Sequence, residues 1–175
     1  MKITTNRTFI LALIALAFGA FACKTLGIDD SFTFNLDKTF SFTVPHEIPV
    51  GVDAPEIPLP IAIDSADLAK NKTGTKYIKS VKLTKLDIVS TDASYPLSSF
   101  DTMVISVKTG TLAKLPLAMY SRSQDKMILT NADFAEYAKS SDNTFLITAR
   151  ANKAPATPVV FNGTATISIT ASPLP

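Results

Sequence analysis

Near its C-terminal end the chain alternates with a strict period of two. Ala165, Ile167, Ile169 and Ala171 are apolar, and Thr164, Thr166, Ser168 and Thr170 between them are polar. Successive side chains of an extended strand point to opposite faces, so this pattern predicts a strand with one buried and one wetted side. The same signature opens the chain's second stretch. Phe32, Phe34 and Leu36 alternate with Thr33 and Asn35, and Phe40, Phe42 and Val44 alternate with Ser41 and Thr43. The polar pair Asp37-Lys38 between those runs fits either a hairpin or one long strand interrupted by a bulge.

Five of the eleven prolines fall within residues 45–60, which excludes a helix there, because each proline lacks an amide hydrogen and clashes with the preceding turn. Ile57, Leu59, Ile61 and Ile63 share one face of that segment, while Pro58 and Pro60 remove donors from a single edge. An edge strand, closed to a further neighbour by its prolines, is the expectation. In Tyr77–Ile88, Val81 and Leu83 keep one phase and Leu86 and Ile88 the other. That one-residue slip near Thr84-Lys85 predicts a β-bulge. Further strands are expected around Met103, Ile105 and Val107, over 115–120, over 144–150 with Phe145, Ile147 and Ala149 on one face, and from Val159 through Asn162-Gly163 into the C-terminal run. Residues 91–99 read as a polar loop and 121–126 as a turn.

Asp64-Ser-Ala-Asp67 suits a single helical turn. Thr130-Asn-Ala-Asp133 resembles a capping box, so a two-turn helix is expected over 132–139 with Phe134, Tyr137 and Ala138 on its buried side. Seven to nine strands with one short helix between them predict an all-β fold, an antiparallel immunoglobulin-like β-sandwich over 32–175. A small antiparallel β-barrel is the alternative. The chain has no Trp and a single Cys, so the Cys…Trp…Cys pattern of antibody domains is absent.

Ahead of the strands lies a different kind of segment. Lys2 and Arg7 precede an unbroken apolar run, 9–22, which ends at Cys23. As a helix those residues would span about 21 Å at ~1.5 Å per residue. That is too short to cross a bilayer and suits the hydrophobic region of a signal peptide. Ala20-Phe21-Ala22-Cys23 resembles the lipobox of bacterial lipoproteins, with Ala20 where that motif usually has Leu. The resemblance covers residues 1–23. It implies a signal peptide at 1–22, cleavage before Cys23, and lipidation of Cys23 by diacylglycerol plus an amide-linked acyl chain. One acyl chain holds a protein only marginally, and such a modification supplies the further chains that stable anchoring needs. Residues 23–31 would form the lipidated tether. Lys24 stands where enteric bacteria place an acidic inner-membrane retention signal, which points to the outer membrane. The expected localisation is thus a bacterial cell envelope, with membrane lipid as the partner reached through Cys23.

Removing Lys2 and Arg7 with the leader lowers the 17 basic residues to 15, equal to the 15 acidic ones. Nucleic acid is therefore not an expected partner. The lysine-rich stretch Lys70, Lys72, Lys76, Lys79, Lys82 and Lys85 reads as a solvated strand face. His46 is the only histidine, so a site built on several imidazoles is excluded. Glu47 beside it would point the opposite way on an extended segment. Six unclustered glycines offer no phosphate-binding loop, and no Gly-x-Ser-x-Gly elbow occurs. Asn71-Lys-Thr73 and Asn162-Gly-Thr164 read as turns. No cofactor, metal or catalytic residue is assigned, and the chain is not expected to be an enzyme. Two functions stay open. The first is a membrane-anchored, non-catalytic β-sandwich serving as a binding or structural module for an envelope protein or polysaccharide. The alternative is a hydrolase using loop carboxylates, with or without Ca²⁺, which requires two or three of Asp64, Asp67, Asp92, Asp101 and Asp142 to converge in a pocket with raised pKa values.

Overall fold

The C-terminal alternating run becomes the middle of a three-stranded antiparallel sheet. The structure, a computed structural model, describes residues 30–175, so the expected signal peptide, Cys23 and most of the expected tether lie outside the described residues. Strand β8 (Val159–Ala171) pairs along its whole length with β1 (Phe32–Val44), from Phe32 opposite Ala171 to Val44 opposite Val159. On its other edge it pairs with β3 (Ile78–Ser90). The register of β1 runs unbroken through Asp37-Lys38, so β1 is one long strand, neither a hairpin nor bulged. The register of β3 shifts between Leu83 and Lys85, where the phase slip in the sequence predicted a bulge. Asn162-Gly163-Thr164 lies inside β8, not in a turn, whereas Asn71 and Lys72 do form one.

The second sheet has the order β2-β7-β4-β5-β6. It comprises β2 (Ile57–Leu59), β7 (Thr144–Ala151), β4 (Phe100–Lys108), β5 (Leu115–Ser121) and β6 (Lys126–Leu129). β2 is the edge, as its prolines require: it pairs only with β7, with Pro58 opposite Leu146. β6 was not legible as a strand, because its four residues alternate only between half-buried and exposed. The two sheets face each other as an all-β sandwich, and no closed barrel forms among the described residues.

The inward column of β8, Val159, Phe161, Gly163, Ala165, Ile167, Ile169 and Ala171, is buried at every position. Phe161 stacks on Phe42 with ring centroids 5.3 Å apart and meets Phe100 of the opposite sheet edge-on at 5.7 Å. Tyr95 joins both Phe100 and Phe161 edge-on, and its hydroxyl donates to the carbonyl of Lys153 at 2.9 Å. The 91–99 segment is therefore not a purely polar loop, since Tyr95 is a core residue at 2 % exposure. That burial also pushes the Tyr95 phenol above its ordinary pKa.

Two short α-helices occur among the described residues, besides 3-10 turns at Thr75–Tyr77 and Leu97–Ser99. α1 (Ser65–Lys70) starts where Asp64 caps the Asp67 amide at 2.8 Å. α2 (Ala135–Ala138) is shorter than the expected 132–139, and the capping box does not form. Thr130 donates instead to the Pro116 carbonyl at 2.9 Å, Asn131 takes φ 58°, and Asp133 accepts from the amides of Val81 and Ala135, each at 3.0 Å. Residues 130–134 are thus bonded to β5 and β3, which leaves only the last turn free to be helical. Phe134 and Ala138 are buried as the spacing predicted, and Phe134 packs edge-on against Phe145.

A side chain at Gly163 would overlap the Phe40 ring, which lies against its backbone on the inner face. Gly163→Ala is expected to cost about 1–3 kcal/mol of stability through that overpacking. In a Phe40→Leu background most of this cost should disappear. Urea unfolding of the four proteins measures the coupling, and an equal cost in both backgrounds would show that Phe40 is not the obstacle.

Candidate functional site

Each loop carboxylate has its own partners, and only Asp64 and Asp67, neighbours at the start of α1, are bonded to one another's residue. Asp67 pairs with Lys38 from β1, and this hydrogen bond with the ammonium lowers the Asp67 pKa, outweighing the effect of burial. Asp92 accepts from the Ser94 hydroxyl at 2.7 Å and the Ser94 amide at 2.8 Å, which together lower its pKa. Asp142 is lowered by the Ser140 hydroxyl and by the Gly110 amide, which donates at 2.8 Å. Asp101 lies 3.7 Å from Arg122, and Asp64 caps α1. A general acid needs the reverse displacement, towards neutrality. Among the described residues no three His, Cys, Asp or Glu side chains are grouped to hold a metal ion. The displaced loop acids Asp67, Asp92 and Asp142 all move downward, opposite to the raised values the hydrolase reading requires.

His46 departs from expectation in one respect. Residues 46 and 47 form a turn, closed by the Ile48 amide donating to the Pro45 carbonyl at 3.3 Å. The turn brings His46 Nε2 to 3.4 Å from Glu47 Oε1, so the two side chains are neighbours, where an extended segment would have separated them. Both remain largely exposed.

That turn belongs to the most distinctive concave surface of the domain. After β1 ends at Val44, residues 45–56 cross from one sheet to the other. The Gly51 amide donates to the Ala151 carbonyl and the Ala54 amide to the Ala149 carbonyl, both at 2.8 Å, and Arg150 Nε lies 3.1 Å from Asp53. Proline spacing dictates this course, since Pro45, Pro49 and Pro55 cannot donate to a ladder and leave the segment as a strap. Under it runs an open groove of about 660 Å³, lined by Pro45, Ile48, Pro49, Ala54, Ile57 and Pro158, with Thr43 and Glu47 at the rim. Val50 and Val52 on the strap are more than half exposed. Phe42 and Phe161 pair two residues in from the end of β1 and are buried in the core there. The sequence marked the prolines as helix breakers and did not signal that they would line a cavity.

The outer face of β8 is polar as predicted, and Thr33 and Thr170 bond across it at 2.9 Å, as do Thr166 and Asp37 at 2.6 Å. Cys23, the one residue assigned a covalent role, lies outside the described residues. No helix among the described residues is long and apolar enough to cross a membrane.

Asp67 gives a pH signature with a definite sign. Its folded pKa is lowered, so the stability it contributes is present above the unfolded value (~3.9) and is lost as pH falls through the folded one. Asp67→Asn should cost roughly 1 kcal/mol at neutral pH, within the range of partly exposed ion pairs. The gap from the parent should close below pH ~4. Urea midpoints on both sides of that pH decide it, and a gap independent of pH would refute the pairing.

No protein-family model matches the chain, and no curated protein or solved structure matches it either.

Proposed function

We propose that this chain is a lipid-anchored protein of a bacterial cell envelope whose β-sandwich is a non-catalytic binding module. Cys23 carries the lipid, residues 24–31 are the tether, and the proline-lined groove takes an apolar stretch of another envelope protein. The observation that carries this reading is the placement of two features on one strand. The chain enters the domain at Phe32, and the groove opens just beyond Val44. Thirteen extended residues separate them, about 43 Å at ~3.3 Å per residue. On this reading the chain reaches the domain at the end of β1 opposite the groove. The separate local partners of the loop acids also favour a binding role over a hydrolytic one.

Cys23→Ser should abolish metabolic palmitate labelling and shift the protein from the detergent phase to a soluble or unprocessed form. Unchanged labelling and partitioning would refute the anchor. For the groove, a photo-crosslinker at Val52 in intact cells should give a discrete protein adduct, and one at Ser168 on the outer face of β8 should not. Val52 is exposed, so its replacement leaves folding unaffected. Equal labelling at both positions would remove the groove from consideration.

A further inference from the structure

The lysine-rich stretch that reads as one strand face is divided by the fold into two groups. Lys82 and Lys85 lie along β3, where Lys85 pairs with Asp87 at 2.9 Å and Lys82 bridges to Asp133 through the backbone. Lys70, Lys72 and Lys76 lie elsewhere. Lys70 ends α1, and the two others stand in the connection from α1 to β3, all three exposed.

Hydrogen bonds fix that connection to one end of the sandwich. The Leu174 amide donates to the Lys72 carbonyl at 2.9 Å, the Thr73 hydroxyl to the Ser172 carbonyl at 2.7 Å, and the Ser172 amide to the Tyr77 carbonyl at 3.0 Å. The next residues in register are Ile78, Ala171 and Phe32, side by side across the three strands. Lys72 and Lys76 therefore lie at the end of the sandwich where β1 begins, and Lys70 precedes them at the end of α1. Apolar groups share this end. Leu174 is half exposed, Phe32 is half-buried and stacked on Phe34 at 5.7 Å, and Lys76 Nζ sits 4.8 Å over the Tyr77 ring. Of the nearby carboxylates, Asp67 is engaged by Lys38 and Asp64 by the α1 cap, while Asp30 is exposed at the entry.

We propose that this end of the sandwich is a docking face for an anionic lipid surface, with Lys70, Lys72 and Lys76 meeting the headgroup charge and Leu174 and Tyr77 settling at the interface. The proposal rests on the anchored reading above for its orientation. It adds that the domain is seated on the bilayer and does not swing freely on its tether. Lysines bury their stems along apolar surface while keeping the ammonium at the headgroups, and aromatic rings favour the same layer. Basic residues beside an anchor are attracted to anionic leaflets within a Debye length, and the attraction is screened by salt.

The test uses the full chain reconstituted into vesicles of phosphatidylcholine, with or without phosphatidylglycerol, and reads amide hydrogen exchange over residues 70–77. Protection is expected in the anionic vesicles only and should be lifted by high salt. K70Q/K72Q/K76Q should lower the docked-to-undocked ratio on the order of 100-fold, from ~5-fold per lysine, and the corresponding Arg variant should keep it. Equal protection in neutral vesicles, equal protection by soluble glycerophosphate, or no change in the Gln variant would overturn the docking face. Palmitate labelling of the same preparation separates the two ideas. A labelled chain without protection loses only the docking face, and an unlabelled chain with salt-sensitive protection loses only the anchor.

Discussion

Everything in this domain rests on β8 having both edges paired and one whole face buried. It is the sole link between β1 and β3, so the three-stranded sheet exists only through it. Its inner face also supplies Phe161, whose ring meets Phe42 in its own sheet and Phe100 and Tyr95 from across the sandwich. The described residues contain no cysteine, so no covalent staple joins the sheets. Burial of apolar area therefore carries the cohesion, at roughly 25 cal/mol per Å². The cluster also explains a glycine inside a strand. Gly163 gives up conformational entropy, about 0.5–1 kcal/mol relative to Ala, and the space it leaves is filled by Phe40 from the neighbouring strand.

Period-two alternation was readable wherever one face is dry and the other wet, and that condition holds best along β8, β1 and β3. A phase slip of one residue sufficed to locate the bulge in β3, because an extra residue on one strand exchanges inside for outside. Pro58 placed β2 at an edge for an equally local reason, its missing donor. What failed depended on tertiary partners. β6 is a four-residue hairpin strand without a fully buried position, so it carries almost no pattern. The capping box at Thr130 lost to hydrogen bonds from distant strands, since Asp133 satisfies the Val81 amide of β3 as well as Ala135. Tyr95 sits in a stretch of polar residues, and only the assembled core shows where its ring goes. For the site, the sequence supplied the prolines and the lysines, but their grouping at opposite ends follows from pairing register that no local spacing encodes.

Edges are the weak points of an open sandwich, and each is handled differently. β2 exposes a proline. β3 is covered near Val81 by residues 133–134, whose Phe134 amide donates to the Val81 carbonyl at 2.9 Å. β1 is the long edge, thirteen residues without a proline, and here the phase of Lys38 matters. Lys38 falls on the inward side of the alternation, between Leu36 and Phe40, yet it is charged. It reaches Asp67, so α1 is held beside the edge strand. A charge directed inward on an edge strand also makes addition of another chain unfavourable, because pairing there would desolvate it. The only break in the apolar column of β1 thus has a structural reason.

The two ends of the sandwich differ in chemistry, and the length of β1 separates them. From Cys23 to Phe32 the chain can extend about 30 Å at ~3.3 Å per residue, while β1 alone spans about 43 Å. An anchored domain standing on its entry end holds the groove several Debye lengths from the headgroups, the screening length being ~8 Å at physiological ionic strength. Lying on its side, it would bring to the lipid either the strap or the outer sheet face, where Lys82 and Lys85 of β3 stand beside the threonines of β8. On the proposed reading, Lys70, Lys72 and Lys76 would favour the upright arrangement. On that same reading, the basic end and the groove would face opposite ways along β1, the strand that separates them.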